Sequence, residues 1–524
     1  MVQVPTAITA IAVTVMAPRL LSRKRARWAV AVLATAAITS AEAANWTVTP
    51  QISATETYTD NVTLATSGQE KSDFVTEIAP RIVVRGTGAR VKLSLDYALQ
   101  EILYAKDSAR NRTQNALGAS GTVEAIEHFL FVDARARISQ QNISAFGSQT
   151  VSNANDSGNR TETRVFSISP YVRGNLKDWV AYEVRYNTSR TASKSGGIAS
   201  SSSDEWAAHA KNGTALGNVG WALDYSRRTI GFTGSRDSDL ESARGTLSYQ
   251  FDRQFRVMAN VGREKNNYAF TTQSYSNHGF GFEWQPTPRT QVSAHREQRF
   301  FGSGYNYHFS HRTALTAWSL GYVRDITTSA DQLQADVPSD FYVVLFNRPD
   351  SIASYPNPAE RDLKVREFLT ALGLPTSLGR ETLLANRVFL ERRLDASAAL
   401  LGANNAVTLA AARSQRAAVS GLSGGGVDIF NLSSDITQRS LSLTWNSKLS
   451  ATSSVDLRLS HVQSEGTGPV SLESTQRSVT LSLLHQFGPK TNGSLGLRHV
   501  NFDSQGATSS YGENAVTGTL SVSF

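Results

Sequence analysis

The nine histidines of this 524-residue chain are the side chains best placed for acid–base or metal chemistry, and their spacing supports neither. They stand at positions 128, 209, 278, 295, 308, 311, 461, 485 and 499, and only His308 and His311 are close neighbours. That pair sits in a segment that reads as a short strand and turn, where polar lining explains it better than catalysis or metal binding. Cysteine is absent, which removes thiolate ligands, disulfides and a cysteine nucleophile. Serine hydrolysis would need a serine, a histidine and an orienting polar group in reach of one another, and no motif assembles them. No phosphate loop, zinc spacing or calcium loop occurs. The sequence predicts no enzyme, no cofactor and no metal.

Arginine is more informative. Arg135, Arg137, Arg185, Arg228, Arg256, Arg393, Arg458 and Arg498 all fall in the polar phase of alternating segments. Such rows either guide an acidic polysaccharide past a charged constriction or pair across strands with Asp96, Asp133, Asp224, Asp395 and Asp456, which share that phase. Cross-strand pairing is the favoured reading, because opposite charges facing each other commonly stabilise sheets.

The elements that position these residues follow from period. Val91, Leu93, Leu95, Tyr97 and Leu99 alternate with Lys92, Ser94, Asp96 and Ala98, and the same period returns at Val219–Tyr225 and Val455–Leu459. A period of two is a strand with one apolar and one polar face. Tight turns at Gly86–Ala89, Gly174–Lys177 and Gly402–Asn405 alternate with longer polar breaks, including Ser193 to Asp204 and Ser420 to Asp435. Short turns on one side and long loops on the other mark a transmembrane barrel, whose outward side chains meet lipid while their neighbours meet a polar lumen. The reading is an all-β, transmembrane antiparallel barrel of about 22 strands, within two either way, spanning 44–524. Mean hydropathy is −0.27 and no apolar run in the mature region approaches the ~18 residues of a membrane helix. Trp46, Trp179, Trp221, Trp284 and Trp445 fall toward periplasmic strand ends, where amphipathic rings favour the interface, while Trp206 and Trp318 stay outside the group.

Residues 1–43 read as a signal peptide. Arg19, Arg23, Lys24, Arg25 and Arg27 precede the apolar run Trp28–Ile38, and Ala41-Glu42-Ala43 supplies the cleavage site; translation beginning at Met16 would suffice. Removing those five basic residues and Glu42 lowers the formal charge from +8 to +4, too small an excess for a nucleic-acid partner. Alternation begins directly after the signal, which disfavours a plug-bearing siderophore transporter. One segment departs from the pattern: 325–385 is too long for a hairpin loop and carries a helix signature. Pro358 lies near its start, Val365, Phe368, Leu369 and Leu372 fall on one face, and Gly373 and Pro375 end it. By strand parity this excursion is extracellular. It either folds over or into the pore mouth or packs on neighbouring loops.

The mature amino terminus carries Trp46-x-Val48-x-Pro50-x-Ile52, then Glu56-x-Tyr58-Thr59-Asp60-Asn61; further on come Glu77-Ile78-Ala79-Pro80 and Arg299-Phe300-Phe301-Gly302. With the helix-bearing excursion, these features resemble the outer-membrane β-barrel family associated with PEP-CTERM and exosortase systems. Trp46, Pro50, Tyr58, Asp60 and Asn61 are the motif positions. The resemblance implies a barrel in the bacterial outer membrane that serves exopolysaccharide export or surface polymer assembly. Its expected partners are outer-membrane lipid, the barrel assembly machinery, polysaccharide and export proteins. The alternative is a non-transporting barrel that anchors such machinery.

Val516, Leu520 and Val522 lead in phase to Phe524, which resembles the carboxyl-terminal strand by which outer-membrane barrels are recognised for assembly. Deleting Phe524 removes little lipid-facing area, yet it is expected to cut outer-membrane abundance sharply and leave periplasmic degradation products. Immunoblots of fractionated cells at native expression check this, with Ser523→Ala as the control that assembles normally.

Overall fold

The computed structural model describes residues 45–194, 200–212, 217–233, 236–268, 271–335, 365, 382–419, 428–468, 471–505 and 510–524. They form 22 strands: β1 (Asn45–Thr59), β2 (Asp73–Thr87), β3 (Val91–Tyr104), β4 (Arg112–Ile126), β5 (Leu130–Asn142), β6 (Arg160–Leu176), β7 (Val180–Ser193), β8 (Ser201–Asn212), β9 (Val219–Phe232), β10 (Ser238–Gln250) and β11 (Phe255–Asn266). The second half continues with β12 (Gln273–Thr287), β13 (Thr290–Arg299), β14 (Gly302–Arg312), β15 (Thr316–Thr327), β16 (Phe389–Leu401), β17 (Asn405–Ala418), β18 (Asp435–Lys448), β19 (Ser453–Thr467), β20 (Leu472–Gly488), β21 (Thr491–Gln505) and β22 (Tyr511–Ser523). Each strand pairs antiparallel with its sequence neighbours, and β22 pairs with β1, so the sheet closes.

Closure satisfies the physical demand of a bilayer, where an unpaired backbone group has no water to bond. Two prolines show what the ladder tolerates. Pro80 and Pro170 have no N–H to donate, and the β2–β3 and β6–β7 registers each skip a step beside them.

Side-chain phase then sorts lipid from lumen. Leu223, Leu247, Val261 and Phe280, on four successive strands, are 57%, 62%, 68% and 66% exposed, which makes sense only for a surface that meets hydrocarbon. The opposite phase carries Ser, Thr, Asn and charged residues, many buried beneath loops that enter the bore. This closed barrel with an apolar exterior is an outer-membrane β-barrel, and it lies in the bacterial outer membrane. Among the described residues no helix is long and apolar enough to cross a membrane.

The ends shared with the chain's termini carry the short connections, such as 88–90, 288–289 and 402–404, and define the periplasmic side. The outer connections vary more than alternation suggested. Those at 300–301 and 468–471 are short, and β7 runs to Ser193 while β8 starts at Ser201, so the expected Ser193–Asp204 loop shrinks to 194–200. The reason is that serine-rich strand ends, polar on both faces, still pair as a ladder. Trp318 corrects the tryptophan grouping: it is the third residue of β15 and faces outward at the periplasmic rim with the other five. Trp206 lies within β8 against Tyr186, ring centroids 4.8 Å apart.

Trp46 pairs with Gly86 across β1 and β2, and its indole lies over the glycine so closely that an added Cβ would sit 2.3 Å from the ring. Gly86→Val should therefore displace the indole and cost about 1–3 kcal/mol. The check is a lower temperature for the loss of the folded band in heat-modifiable gel migration.

Candidate functional site: the lumen and its internal loops

The outer half of the bore is occupied by chain that folds inward from several connections. The segment 143–159, between β5 and β6, travels furthest. Its neck is tied by Asn159, whose Nδ2 donates to the Ser144 carbonyl at 2.9 Å while its Oδ1 accepts the Ser144 N–H at 2.8 Å. Phe146 is completely buried with Leu383, Phe389, Ile436 and Leu472. It thereby reaches β16, which lies half-way round the ring from β5. The Ala145 carbonyl accepts from Ser474 at 2.9 Å, and the Gln149 carbonyl accepts from Gln476 at 2.9 Å and Tyr511 at 2.5 Å. Further on, Ala154 packs with Val62, Val75, Ile102 and Tyr104, and Asp156 bridges Arg110 at 2.5 Å and Arg112 at 2.7 Å.

A single carboxylate links this crossing to the wall. Glu513 on β22 is 1% exposed and accepts hydrogen bonds from Asn155 Nδ2 at 2.7 Å, Thr59 Oγ1 at 2.8 Å and Arg498 at 2.8 Å. Beside it lies the amino-terminal motif. Asp60 accepts from the N–H and side-chain amide of Asn514 at 2.8 and 2.7 Å. The fully buried Asn61 donates to the Gly512 carbonyl at 2.9 Å and accepts the Ala65 N–H at 2.8 Å. Tyr58 faces outward against Phe74 with centroids 4.9 Å apart, and the Pro50 carbonyl accepts the Phe524 N–H at 2.9 Å. Asp60, Asn61 and Pro50 thus fasten the β1–β22 seam. Val516, Leu520, Val522 and Phe524 occupy the outward phase of β22 and its end, with Phe524 65% exposed.

Both ends of the long excursion also enter the lumen. β15 runs to Thr327, paired with Phe389, so the excursion spans 328–388 rather than 325–385. Asp325 stays in the strand because its inward carboxylate bridges Arg299 at 2.5 Å. Helix α1 (Ser329–Gln334) follows at once, capped reciprocally by Thr328 and Asp331. Asp331 bridges Arg228 at 2.6 Å, Arg137 donates to the Leu333 carbonyl at 3.2 Å, and Gln332 donates to Glu391 at 3.1 Å. The returning chain is held by Ser329, whose Oγ accepts the Ala385 N–H at 2.7 Å. Leu333 is buried with Val165 and Leu384, and Val388 with Ile230, Phe232 and Tyr268. Burial pushes the Tyr268 hydroxyl up from its ordinary pKa, keeping the ring neutral. The helix expected from Pro358 to Gly373, with Phe368, Leu369 and Leu372, lies outside the described residues except for Val365, which is helical and buried.

All eight arginines singled out from sequence share the lumen phase, and their partners differ. Arg185 bridges Asp133 at 2.9 Å and Glu183 at 3.0 Å and stacks 3.8 Å from the Tyr171 ring centroid. Arg256 bridges Glu283, Arg393 bridges Asp395, both at 2.6 Å, and Arg498 bridges Glu513. Arg228 and Arg137 hold α1. Among the described residues no carboxylate lies within 4.0 Å of Arg135 or Arg458, and both are exposed to the bore. Of the five aspartates, Asp96 pairs instead with Arg81 and Asp224 with His209. His308 faces the lumen, whereas His311 takes the opposite phase beside Thr290, 2.9 Å away, so the two do not form one lining.

The strongest interior pairs were missed. Arg299 with the fully buried Glu264 at 2.6 Å and Arg244 with Glu297 at 2.8 Å join strands two and three apart, and Arg416 meets Glu391 directly across β16 and β17 at 2.9 Å. The signal for Arg299 was available in the Arg-Phe-Phe-Gly run. There Arg299 lies over Phe301 at 4.9 Å, and Gly302 adopts φ +91° to close β13 onto β14 in two residues. The 143–159 crossing gave no comparable signal.

Neither a family model nor a curated protein matches this chain. Among solved structures it is similar to the FrpB iron transporter from Neisseria meningitidis (F5-1 variant, apoprotein form), at 10% identity over 91% of this chain and 81% of that one, with a TM-score of 0.47. It is similar to the siderophore receptor PirA from Pseudomonas aeruginosa, at 9% identity over 91% and 80% with a TM-score of 0.42. It is also similar to Acinetobacter baumannii OccAB4, at 8% identity over 91% and 98% with a TM-score of 0.35.

Glu513→Ala strips the largely covered Arg498 of its counter-charge and releases both Thr59 and Asn155. It should destabilise the folded barrel by about 3–5 kcal/mol, with Glu513→Gln less severe because the amide still accepts from Thr59 or Asn155. Urea unfolding in detergent micelles, followed by tryptophan fluorescence, measures the difference.

Proposed function

We propose that this barrel is a gated outer-membrane channel or secretion component for extracellular polysaccharide. The observation that carries the channel reading is the internal crossing at 143–159. A 22-stranded wall is too wide for its own side chains to fill, and what fills the outer bore here is loop chain. Much of that chain is fastened by hydrogen bonds and ion pairs, contacts that can be exchanged for water or for a hydroxyl-rich polymer. Arg135 and Arg458, exposed and without a salt bridge among the described residues, would favour an acidic polymer. The polysaccharide link rests on the amino-terminal resemblance and on this polar wall.

The apolar cluster around Phe146 and Phe389 favours a second reading, a permanently closed barrel that anchors surface polymer machinery. Conductance in planar bilayers separates them. The intact protein should show small, flickering steps, and replacing 146–157 by a short glycine-serine link should raise conductance several-fold. A variant that assembles but stays as silent as the intact protein would support the anchor. The cargo is tested independently: a strain lacking the gene should release less extracellular polysaccharide, and unchanged release would reject that cargo.

A further inference from the structure

On the outward phase of β13 to β20, near the outer strand ends, six arginines stand in a polar belt above the apolar wall: Arg296, Arg324, Arg392, Arg413, Arg439 and Arg477. Two pairs are directly opposed across neighbouring strands, Arg324 with Arg392 and Arg413 with Arg439. Like charges in that position repel; Arg324 is partly satisfied by the carbonyls of Ser303 and Phe301, the latter at 3.1 Å, and an anion between the guanidiniums would relieve the remaining repulsion. The two pairs sit one diagonal step apart, because Arg413 is opposite Leu394, two residues along β16 from Arg392.

The wall itself supplies three carboxylates at the outer end of this face. Glu465 bridges Arg439 at 2.8 Å, Glu473 accepts from Gln463 at 3.1 Å, and Asp435 is the exposed first residue of β18, four along from Arg439. Among the described residues no carboxylate lies within 4.0 Å of Arg296, Arg324, Arg392, Arg413 or Arg477, and all but Arg324 are exposed. His461, opposite Arg477, adds a further basic group. Elsewhere on this phase opposite charges meet, as in Arg164 with Glu162 at 2.6 Å.

Aromatic residues give the depth. Tyr305, Tyr307 and Tyr322 form an outward cluster with ring centroids 5.7 to 6.1 Å apart, Arg296 lies 5.7 Å from the Tyr305 centroid, and Tyr305 is opposite Arg324. Such rings settle at the membrane–water boundary, which puts the arginines among lipid headgroups. Toward the periplasm the same face turns apolar, through Leu320, Leu409, Leu441, Leu459 and Val479.

We propose that the β13–β20 sector is a binding site for a phosphorylated glycolipid of the outer leaflet, with the opposed arginine pairs clamping its phosphates. A guanidinium fork matches phosphate geometry in a way an ammonium does not, and acyl chains would continue down the apolar wall.

The test uses the full-length protein in neutral phosphatidylcholine nanodiscs doped with diphosphorylated lipid A or with the same lipid dephosphorylated, and quantifies lipid retained after capture of the protein from detergent. The intact protein should retain the diphosphorylated lipid at least tenfold better. R392Q/R413Q, which removes one arginine of each pair, should lose most of that preference, while R190Q/R263Q, outward arginines on other strands, should keep it. Equal retention of both lipids by the intact protein would overturn the proposal, even if R392Q/R413Q fails to assemble. So would equal loss in both double variants, or heat-stabilisation by inorganic phosphate alone equal to that by the lipid.

Discussion

The buried carboxylate of Glu513 holds together three things that must form at once. It is on the last strand, it receives a hydrogen bond from Thr59 at the outer end of the first, and it binds Asn155 of the segment that crosses the bore. Arg498 supplies the charge that makes this burial affordable. A barrel must close before its strands can rest in lipid, because an open edge leaves a row of unpaired backbone groups. Here the outer end of the closing seam and the internal crossing share one acceptor, so the interior chain is ordered against a wall that exists only after closure. Asp60 and Asn61 reinforce the same place through Asn514 and Gly512.

The wall was largely legible in the sequence because a period of two leaves little freedom. Once Val219, Trp221, Leu223 and Tyr225 face lipid, Asp224 and Arg228 must face inward, and the strand count follows from the breaks. The lumen was less legible for the opposite reason. Segment 143–159 is rich in Ser and Asn like any exposed loop, and only its contacts with residues hundreds of positions away reveal that it turns inward. Ala145, Phe146 and Ala154 are its buried apolar anchors, too sparse to form a pattern. Pairings such as Arg299 with Glu264 depend on which long side chains reach over a neighbour, which strand phase alone does not specify. Trp318 was misplaced for a smaller reason, the uncertainty of a strand boundary by a few residues.

Charge is distributed differently on the two faces of the sheet. Inside, cations and anions are interleaved along the wall, and most long side chains are committed to a partner, which stiffens the bore while keeping its net field small. Outside, the sector from β13 to β20 has six arginines against two glutamates and one aspartate at the outer end. A sheet cannot bury such an excess within itself, since each outward side chain has only its cross-strand neighbours and the surrounding lipid for company. The polarity of the barrel is therefore set by its surroundings as much as by its own contacts.

The long excursion leaves and re-enters the barrel at paired residues, Thr327 and Phe389, and both of its ends are pinned inside by Ser329, Gln332 and Ala385. The cost of closing a loop whose ends are already fixed grows only with the logarithm of its length, about 0.6 kcal/mol for each doubling. Residues between the two pinned ends can thus be lengthened, shortened or exchanged with little effect on the wall. Strands β15 and β16 act as a socket, and the sequence they hold is free to diversify under whatever pressures act at the cell surface.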